Sequence, residues 1–459
     1  MTALPLSQAL VHAIGHRHLL LLGFGREGRS TLRFIARYRS QLQPQSVTVA
    51  DRSPLDPAAV AALDPEARLV SGTDYLDAIH AADYVFKSPG ISLRDYTDQW
   101  LGEGRLGTWP RAVIGGQIDL LLRFHPCRLL IGITGTKGKT TTATLTAAML
   151  HEAGITAPLI GNIGVPVLDS WETLGPEVVP VVELSSHQLQ FAWGSPQLAA
   201  ITNFYPEHLD HYRSYDEYRD AKLNILRFQN TEGLFARNGA DRDLVCRSTL
   251  LVRGRVRDLT AADGAPYLGL HDALKGPHHA LDMALAACLA TAAGADDAAI
   301  RRAIRGFETI PHRCEPLGIW SGIHFYNDSI ATIPAATELA IQTLGNVDTL
   351  IVGGMDRGLD LTDFVDRLLA SDIANIICLP DTGRAIHAKL DTQSPGRSIL
   401  VETLEEAVAV AFSRTAAGRA CLLSPAASSY HRWRSFEERG DEFRELVARY
   451  GERASTSGP

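Results

Sequence analysis

The sequence predicts an α/β protein of three parallel-sheet domains, and three observations predict it. Short apolar runs of strand length recur along all 459 residues. Each breaks off into a polar or glycine-rich turn and then a helix-forming stretch, the trace that βαβ units with doubly buried strands leave in a sequence. Two of those turns, near residues 25 and 135, carry glycines at spacings that suit a phosphate group. The chain is also too long for one ordinary core, and two to three domains is the expectation at this length. We place a Rossmann-like domain at 1–125, a central parallel-sheet domain at 126–310 and a second Rossmann-like α/β domain at 311–459.

The first segment opens with a strand at His18–Leu22, then Gly23-Phe24-Gly25-Arg26-Glu27-Gly28, a helical stretch Ser30–Tyr38, and a strand Ser46–Ala50 closed by Asp51. Strand, GxGxxG turn, helix, strand and acid is the order of a dinucleotide-binding fold. Taken alone it suggests an NAD-dependent oxidoreductase, although such glycines also serve helix–strand packing with no ligand. A third strand, Tyr84–Phe86, runs into Lys87-Ser88-Pro89-Gly90, at the strand end where open α/β sheets bind ligands.

The second segment begins with the apolar run Leu129–Ile131 and the loop Gly132-Ile133-Thr134-Gly135-Thr136-Lys137-Gly138-Lys139-Thr140-Thr141, followed by a good helix former over 142–150. Gly135 and Gly138 let the backbone turn its N–H groups toward a polyanion, and the helix N-terminus adds its positive end. Lys139 can reach the β- and γ-phosphates of a nucleotide triphosphate, and the Thr140 hydroxyl suits Mg²⁺. The spacing departs from GxxxxGK[ST] because position 133 is Ile. The segment is therefore expected to be a P-loop ATPase-like domain.

Two polar clusters follow apolar strands in the same segment. Glu183-Leu184-Ser185-Ser186-His187-Gln188 ends the run Val179–Val182, and Asn203 to His211, with His208 inside it, ends Leu198–Ile201. In a parallel sheet both tips lie on the side of the phosphate loop, where a carboxylate and an imidazole can hold Mg²⁺ between nucleotide and acceptor. Asn162, in Gly161-Asn162-Ile163-Gly164-Val165-Pro166, either holds a phosphate or shapes a turn. Lys222 reads by itself as an exposed helical lysine.

The third segment alternates strands at His324–Tyr326, Thr349–Val352, Ile376–Leu379 and Ala420–Leu423 with helices. Three of them are capped by polar turns: Tyr326-Asn327-Asp328-Ser329, Gly353-Gly354-Met355-Asp356-Arg357-Gly358, and Ser424-Pro425-Ala426-Ala427-Ser428-Ser429-Tyr430 leading to Phe436. Hydroxyls and an arginine at strand tips suit a carboxylate-bearing small substrate, and the serines equally suit helix N-caps. Residues 452–459 read as a polar tail that frays.

A net charge of −8 argues against nucleic acid as the main partner. The six cysteines show no CxxC or zinc spacing, which fits a reducing compartment. No leader-like start and no apolar stretch of about 20 residues is present. The expectation is a cytoplasmic, monomeric enzyme with small-molecule substrates and no membrane association.

Taken together, GITGTKGKTT, GNIGVP, ELSSHQL, NFYPEHLDHY, YRDAK, PHRCE, YNDSIAT, GGMDRG and LLSPAASS with FEERGDEF resemble the Mur ligases of peptidoglycan synthesis, over nearly the whole chain and in one order. The resemblance is strongest to the branch that adds glutamate to UDP-N-acetylmuramoyl-L-alanine. It implies ATP-driven amide formation through an acyl phosphate, with ATP and one or two Mg²⁺ ions. It reassigns the first segment to the UDP end of the substrate, placing Gly25, Arg26, Asp51 and Ser88 there, with Asn162 also toward that substrate and near the metal. ATP contacts map to Gly135, Thr136, Lys137, Gly138, Lys139, Thr140, Thr141, Arg313 and Asp328. Metal positions map to Thr140, Glu183, His208 and Lys222, the last as a carbamylated lysine, and the catalytic set to Lys139, Glu183, His208 and Lys222. The glutamate pocket maps to Thr332, Arg357, Ser429 and Phe436.

Three departures from the family pattern stand out. Ile330 stands where a lysine often follows the NDS triplet, His278-His279-Ala280-Leu281-Asp282 stands for HNxxN near the adenine, and Glu207 stands for the aspartate before the metal-binding histidine. D-glutamate is the family default. The pattern around Pro206-Glu207-His208 and Asp356-Arg357-Gly358 also resembles the branch that uses L-glutamate. A nucleotide-binding protein without catalysis is the third reading, suggested by Ile330 and Asp282.

Overall fold

The computed structural model describes residues 5–94, 112–162, 165–208, 211–308, 311–356, 361–430 and 432–456. Its residues form two compact units, Met1–Phe307 and Glu308–Pro459. The first unit contains two sheets and the second contains one.

In the first sheet β1 (His18–Leu22), β2 (Ser46–Asp51), β3 (Arg68–Ser71), β4 (Tyr84–Lys87) and β5 (Val113–Gly115) run parallel in the order β3-β2-β1-β4-β5. Leu19, Leu20, Leu21 and Leu22 are all buried, because helices cover both faces of such a sheet. The order reverses beside β1, so the turn after β1 and the turn after β4 meet at the switch point. Helix α1 (Arg26–Arg37) starts four residues earlier than the expected stretch, directly on Gly25. The polar residues Arg26 and Glu27 are first-turn residues and obscure the start in the sequence.

The second sheet is also fully parallel, in the order β11-β10-β9-β6-β8-β7. Its strands are β6 (Ile131–Thr134), β7 (Leu159–Gly161), β8 (Val181–Glu183), β9 (Leu198–Ile201), β10 (Leu234–Asn238) and β11 (Arg255–Leu259). Helix α2 (Lys139–Glu152) follows β6, helix α3 (Tyr215–Arg227) follows β9, and helix α4 (Gly276–Ala292) packs against α2. Register places Ile133 beside Glu183 on one side and Ala200 on the other. Loops that leave β6, β8 and β9 therefore emerge side by side.

The third sheet has the order β12-β13-β17-β14-β15-β16. It comprises β12 (Glu315–Trp320), β13 (Ile323–Asn327), β14 (Val347–Val352), β15 (Asn375–Cys378), β16 (Ser398–Leu400) and β17 (Ala420–Leu423). Only the β12–β13 pair is antiparallel. Asn327 pairs with Leu423, and Leu423 with Ile351, so the three polar turns singled out in the sequence leave neighbouring strands at one edge. Helix α5 (Phe436–Thr456) closes the chain. The expected fraying over 452–456 is thus corrected: no Gly or Pro interrupts that stretch, and the helix continues through it.

Candidate active site

The strand tips of the second sheet build the phosphate loop from its glycines outward. Gly135 has φ +146° and Gly138 φ +82°, conformations that favour glycine. A methyl group on Gly135 would overlap the Thr202 hydroxyl, and one on Gly138 the Asp282 carboxylate. Thr136 N–H donates to Asn203 O at 3.0 Å and Lys137 N–H to Asn203 Oδ1 at 2.8 Å, so the turn after β9 holds the loop in shape. Lys139 opens α2, and its Nζ donates to Thr136 O at 2.9 Å. An ammonium and a helix N-terminus thus share one small volume, an arrangement that suits a polyphosphate. Gly135→Ala is expected to lower ATP affinity by at least about tenfold in titration calorimetry, with an unchanged far-ultraviolet dichroism spectrum.

The carboxylate and the lysines of the site are joined by short contacts. Asn162 Nδ2 donates to Glu183 Oε1 at 2.8 Å. Glu183 is buried, and its Oε2 has no hydrogen-bond partner. Lys137 Nζ lies 2.9 Å from Glu207 Oε1; burial raises the Glu207 pKa, but Lys137 outweighs burial and holds it low. His208, with φ +58° and a half-exposed side chain, has its ring 4.6 Å from that of His187. Burial, then His211 and His208, push the His187 pKa down to about 2, so this imidazole stays neutral.

Lys222 corrects the reading of an exposed helical lysine. It is 2% exposed, donates from Nζ to Gly135 O at 2.7 Å, and lies 4.7 Å from the Tyr218 ring centre. Burial first, and Lys139 second, pull its pKa well below the usual lysine value, with Glu207 and Glu183 opposing. A neutral amine is the form that can take up CO₂ as a carbamate. Tyr218, one turn earlier on α3, meets Thr136 Oγ1 at 2.9 Å.

A buried carboxylate oxygen with no partner suits Mg²⁺, which takes one or two carboxylates and completes its shell with phosphates and water. Thr140, the second residue of α2, is also buried. Among the described residues no three His, Cys, Asp or Glu side chains converge as a self-sufficient metal cluster.

At the tips of the first sheet, Gly25 caps α1 and Arg26 is its first residue. Asp51 accepts from Phe24 N–H at 2.8 Å and Ser53 N–H at 2.9 Å, so this acid braces the glycine turn. Ser88 Oγ donates to Gly23 O at 3.3 Å. The site also uses residues that sequence reasoning passed over. Gln188 Nε2 donates to Glu27 Oε1 at 2.9 Å and links the second sheet to α1; its place in ELSSHQL was the available signal. Asp282, in the string that stands for HNxxN, sits against Gly138 and accepts from Thr142 Oγ1 at 3.3 Å.

In the second unit, Asp328 Oδ2 accepts from Ser424 Oγ at 2.7 Å and Oδ1 from Cys314 N–H at 3.2 Å. Burial raises its pKa to about 6, opposed by the Ser424 bond and the Arg313 charge. Ser429 is buried, Thr332 is partly buried, and Phe436 O accepts from Ser329 Oγ at 2.8 Å. Arg357 lies outside the described residues.

A sequence profile described as the Mur ligase middle domain matches residues 133–250. The UDP-N-acetylmuramoylalanine–D-glutamate ligase of Symbiobacterium thermophilum is 34% identical over 403 residues, covering 83% of this chain and 87% of that protein. The chain belongs to the Mur ligase family. A second Mur ligase, the UDP-N-acetylmuramoyl-L-alanine–L-glutamate ligase of Salinispora tropica, is 35% identical over 94% of this chain and 97% of its own. The solved structure of the Thermotoga maritima UDP-N-acetylmuramate–alanine ligase superposes with a TM-score of 0.55 at 18% identity, over 96% of this chain and all of that one. That likeness shows the Mur ligase fold. Membership of the Mur ligase family sets the oxidoreductase reading aside. No helix among the described residues is long and apolar enough to cross a membrane.

Proposed function

We propose that the chain joins glutamate to UDP-N-acetylmuramoyl-L-alanine with ATP, an amide ligation of peptidoglycan precursor synthesis. The observation that carries this is the match, at 34–35% identity over 83–94% of the chain, to relatives named for that reaction. Residues 1–125 would take the UDP portion through Gly25, Arg26, Asp51 and Ser88, 126–310 the ATP, and 311–459 the glutamate through Thr332, Arg357, Ser429 and Phe436. Arg313 and Asp328 are proposed as further ATP contacts. The chain is proposed to act in the cytoplasm as a monomer.

The acceptor's terminal carboxylate attacks the γ-phosphorus, ADP leaves, and an acyl phosphate forms. The glutamate amine then attacks the acyl carbon, and inorganic phosphate leaves as the amine proton is lost. A carboxylate resists nucleophiles, so the phosphoryl group is needed as a leaving group. Lys139 and the loop N–H groups offset charge on the transferring phosphoryl. Glu183, Thr140, His208 and a carbamylated Lys222 would hold one or two Mg²⁺, which neutralises phosphate charge when bound. Glu207 keeps Lys137 oriented at the loop.

D-glutamate is the family default. L-glutamate is the second reading, supported by two relatives named for that enantiomer, 35% and 34% identical over 94% of the chain. Incubation with ATP, Mg²⁺, the UDP-muramoyl-alanine acceptor and either enantiomer decides both points. Phosphate release that requires acceptor and one enantiomer is the expected result, and release with neither would remove the proposal.

A further inference from the structure

Helix α5 carries a cation that its surroundings do not neutralise. Arg439 is fully buried. Its Nε donates to Ser329 Oγ at 2.9 Å, one terminal nitrogen to Ser329 O at 2.8 Å and the other to Ala427 O at 3.2 Å. Its guanidinium stands 5.7 Å from the Trp433 ring centre. Each of these partners is neutral, and among the described residues no carboxylate pairs with it. Burial alone draws its pKa down to about 9, still charged at neutral pH.

An isolated buried charge is costly, and a neutral side chain of similar volume could cross-link the same carbonyls more cheaply. What a neutral residue cannot supply is a standing positive charge. That charge sits where the three turns meet. Ser329 follows β13 and Ala427 follows β17. Gly354 follows β14, and a methyl group there would come within 3.1 Å of the guanidinium. One turn earlier on α5, Phe436 has its carbonyl held by Ser329 Oγ, and Ser429 lies two residues beyond Ala427. A carboxylate at this corner would be attracted by that charge without touching the guanidinium, which is buried and already bonded at all three nitrogens.

We propose that Arg439 is a positioning residue that gives the amino-acid pocket its positive charge, acting on one carboxylate of the incoming glutamate through the Ser329 and Ala427–Ser429 segments that it ties together. The inference rests on the glutamate reading above. Glutamate carries two carboxylates, and neutralising each in turn separates them: glutamine lacks the side-chain charge, and isoglutamine lacks the α-carboxylate charge.

Steady-state kinetics of wild type, R439M and R439K with these three amino acids test it. In R439M the glutamate KM is expected to rise roughly a hundredfold, with kcat changed less and the ATP KM unchanged. The preference for glutamate over one of the two neutralised analogues is expected to shrink about tenfold or more, and that analogue identifies the carboxylate. R439K is expected to recover much of the preference, because it keeps the charge while losing the fork. If R439M is insoluble, R439Q gives the same ratio from any measurable rate. A proportional loss for all three amino acids, or an unchanged preference, would overturn the inference alone. Failure of the wild type to use glutamate would overturn the functional reading and this inference with it.

Discussion

Lys139→Ala is expected to lower glutamate-dependent phosphate release roughly a thousandfold or more, in line with loss of a cation that acts on a transferring phosphoryl group. Lys139 is the first residue of α2 and bonds the carbonyl of Thr136. In the proposed reaction its ammonium would offset the charge that develops on the γ-phosphate. The same substitution leaves the backbone amides and the helix N-terminus intact, so ATP binding is expected to weaken less than turnover. Lys139→Arg is not expected to restore the rate, since a planar fork does not replace a compact point charge. Phosphate release and nucleotide calorimetry on the same preparation check both parts, and full turnover in the alanine variant would refute the loop's role.

Lys222→Ala is the second large effect. A carbamate forms when the neutral amine attacks CO₂ and releases one proton. Burial supplies that neutral amine by drawing the lysine pKa well down. Turnover is expected to fall at least about a hundredfold in the alanine variant, comparable to losing a group that orients a metal site. Small carboxylates such as formate or acetate should restore part of it. The sign of the pH effect follows from the shift: acidification through the lowered pKa protonates the amine and should release the carbamate, while bicarbonate should oppose that loss. No rescue by any small carboxylate, together with no bicarbonate effect on the wild type, would leave Lys222 as a brace for the Gly135 carbonyl.

The sequence made the strands and their polar ends legible because both signals are local. Apolar runs such as Leu198–Ile201 and Ala420–Leu423 coincide with β9 and β17, and glycines mark the turns. Burial of Lys222 was not legible. A lysine in a mixed helix looks solvated until the helix is known to cover the loop with Tyr218 and Lys222. Arg439 was hidden for the same reason, since FEERGDEF reads as a charged helical face. The placement of Asp282 against Gly138 depends on how α4 packs on α2, a long-range contact that no short window contains. The pairing of Asn162 with Glu183 follows from the β7–β8 register, which is likewise set between segments far apart in sequence.

The third sheet brings three turns to one edge from strands that hold their alignment without them. With the glutamate pocket proposed there, amino-acid preference would be rewritten by exchanging a few turn residues over an unaltered scaffold, in the way that tools are swapped on a common handle. Relatives named for opposite mirror forms of one amino acid, each about equally similar to this chain, are what such modular retuning would leave behind.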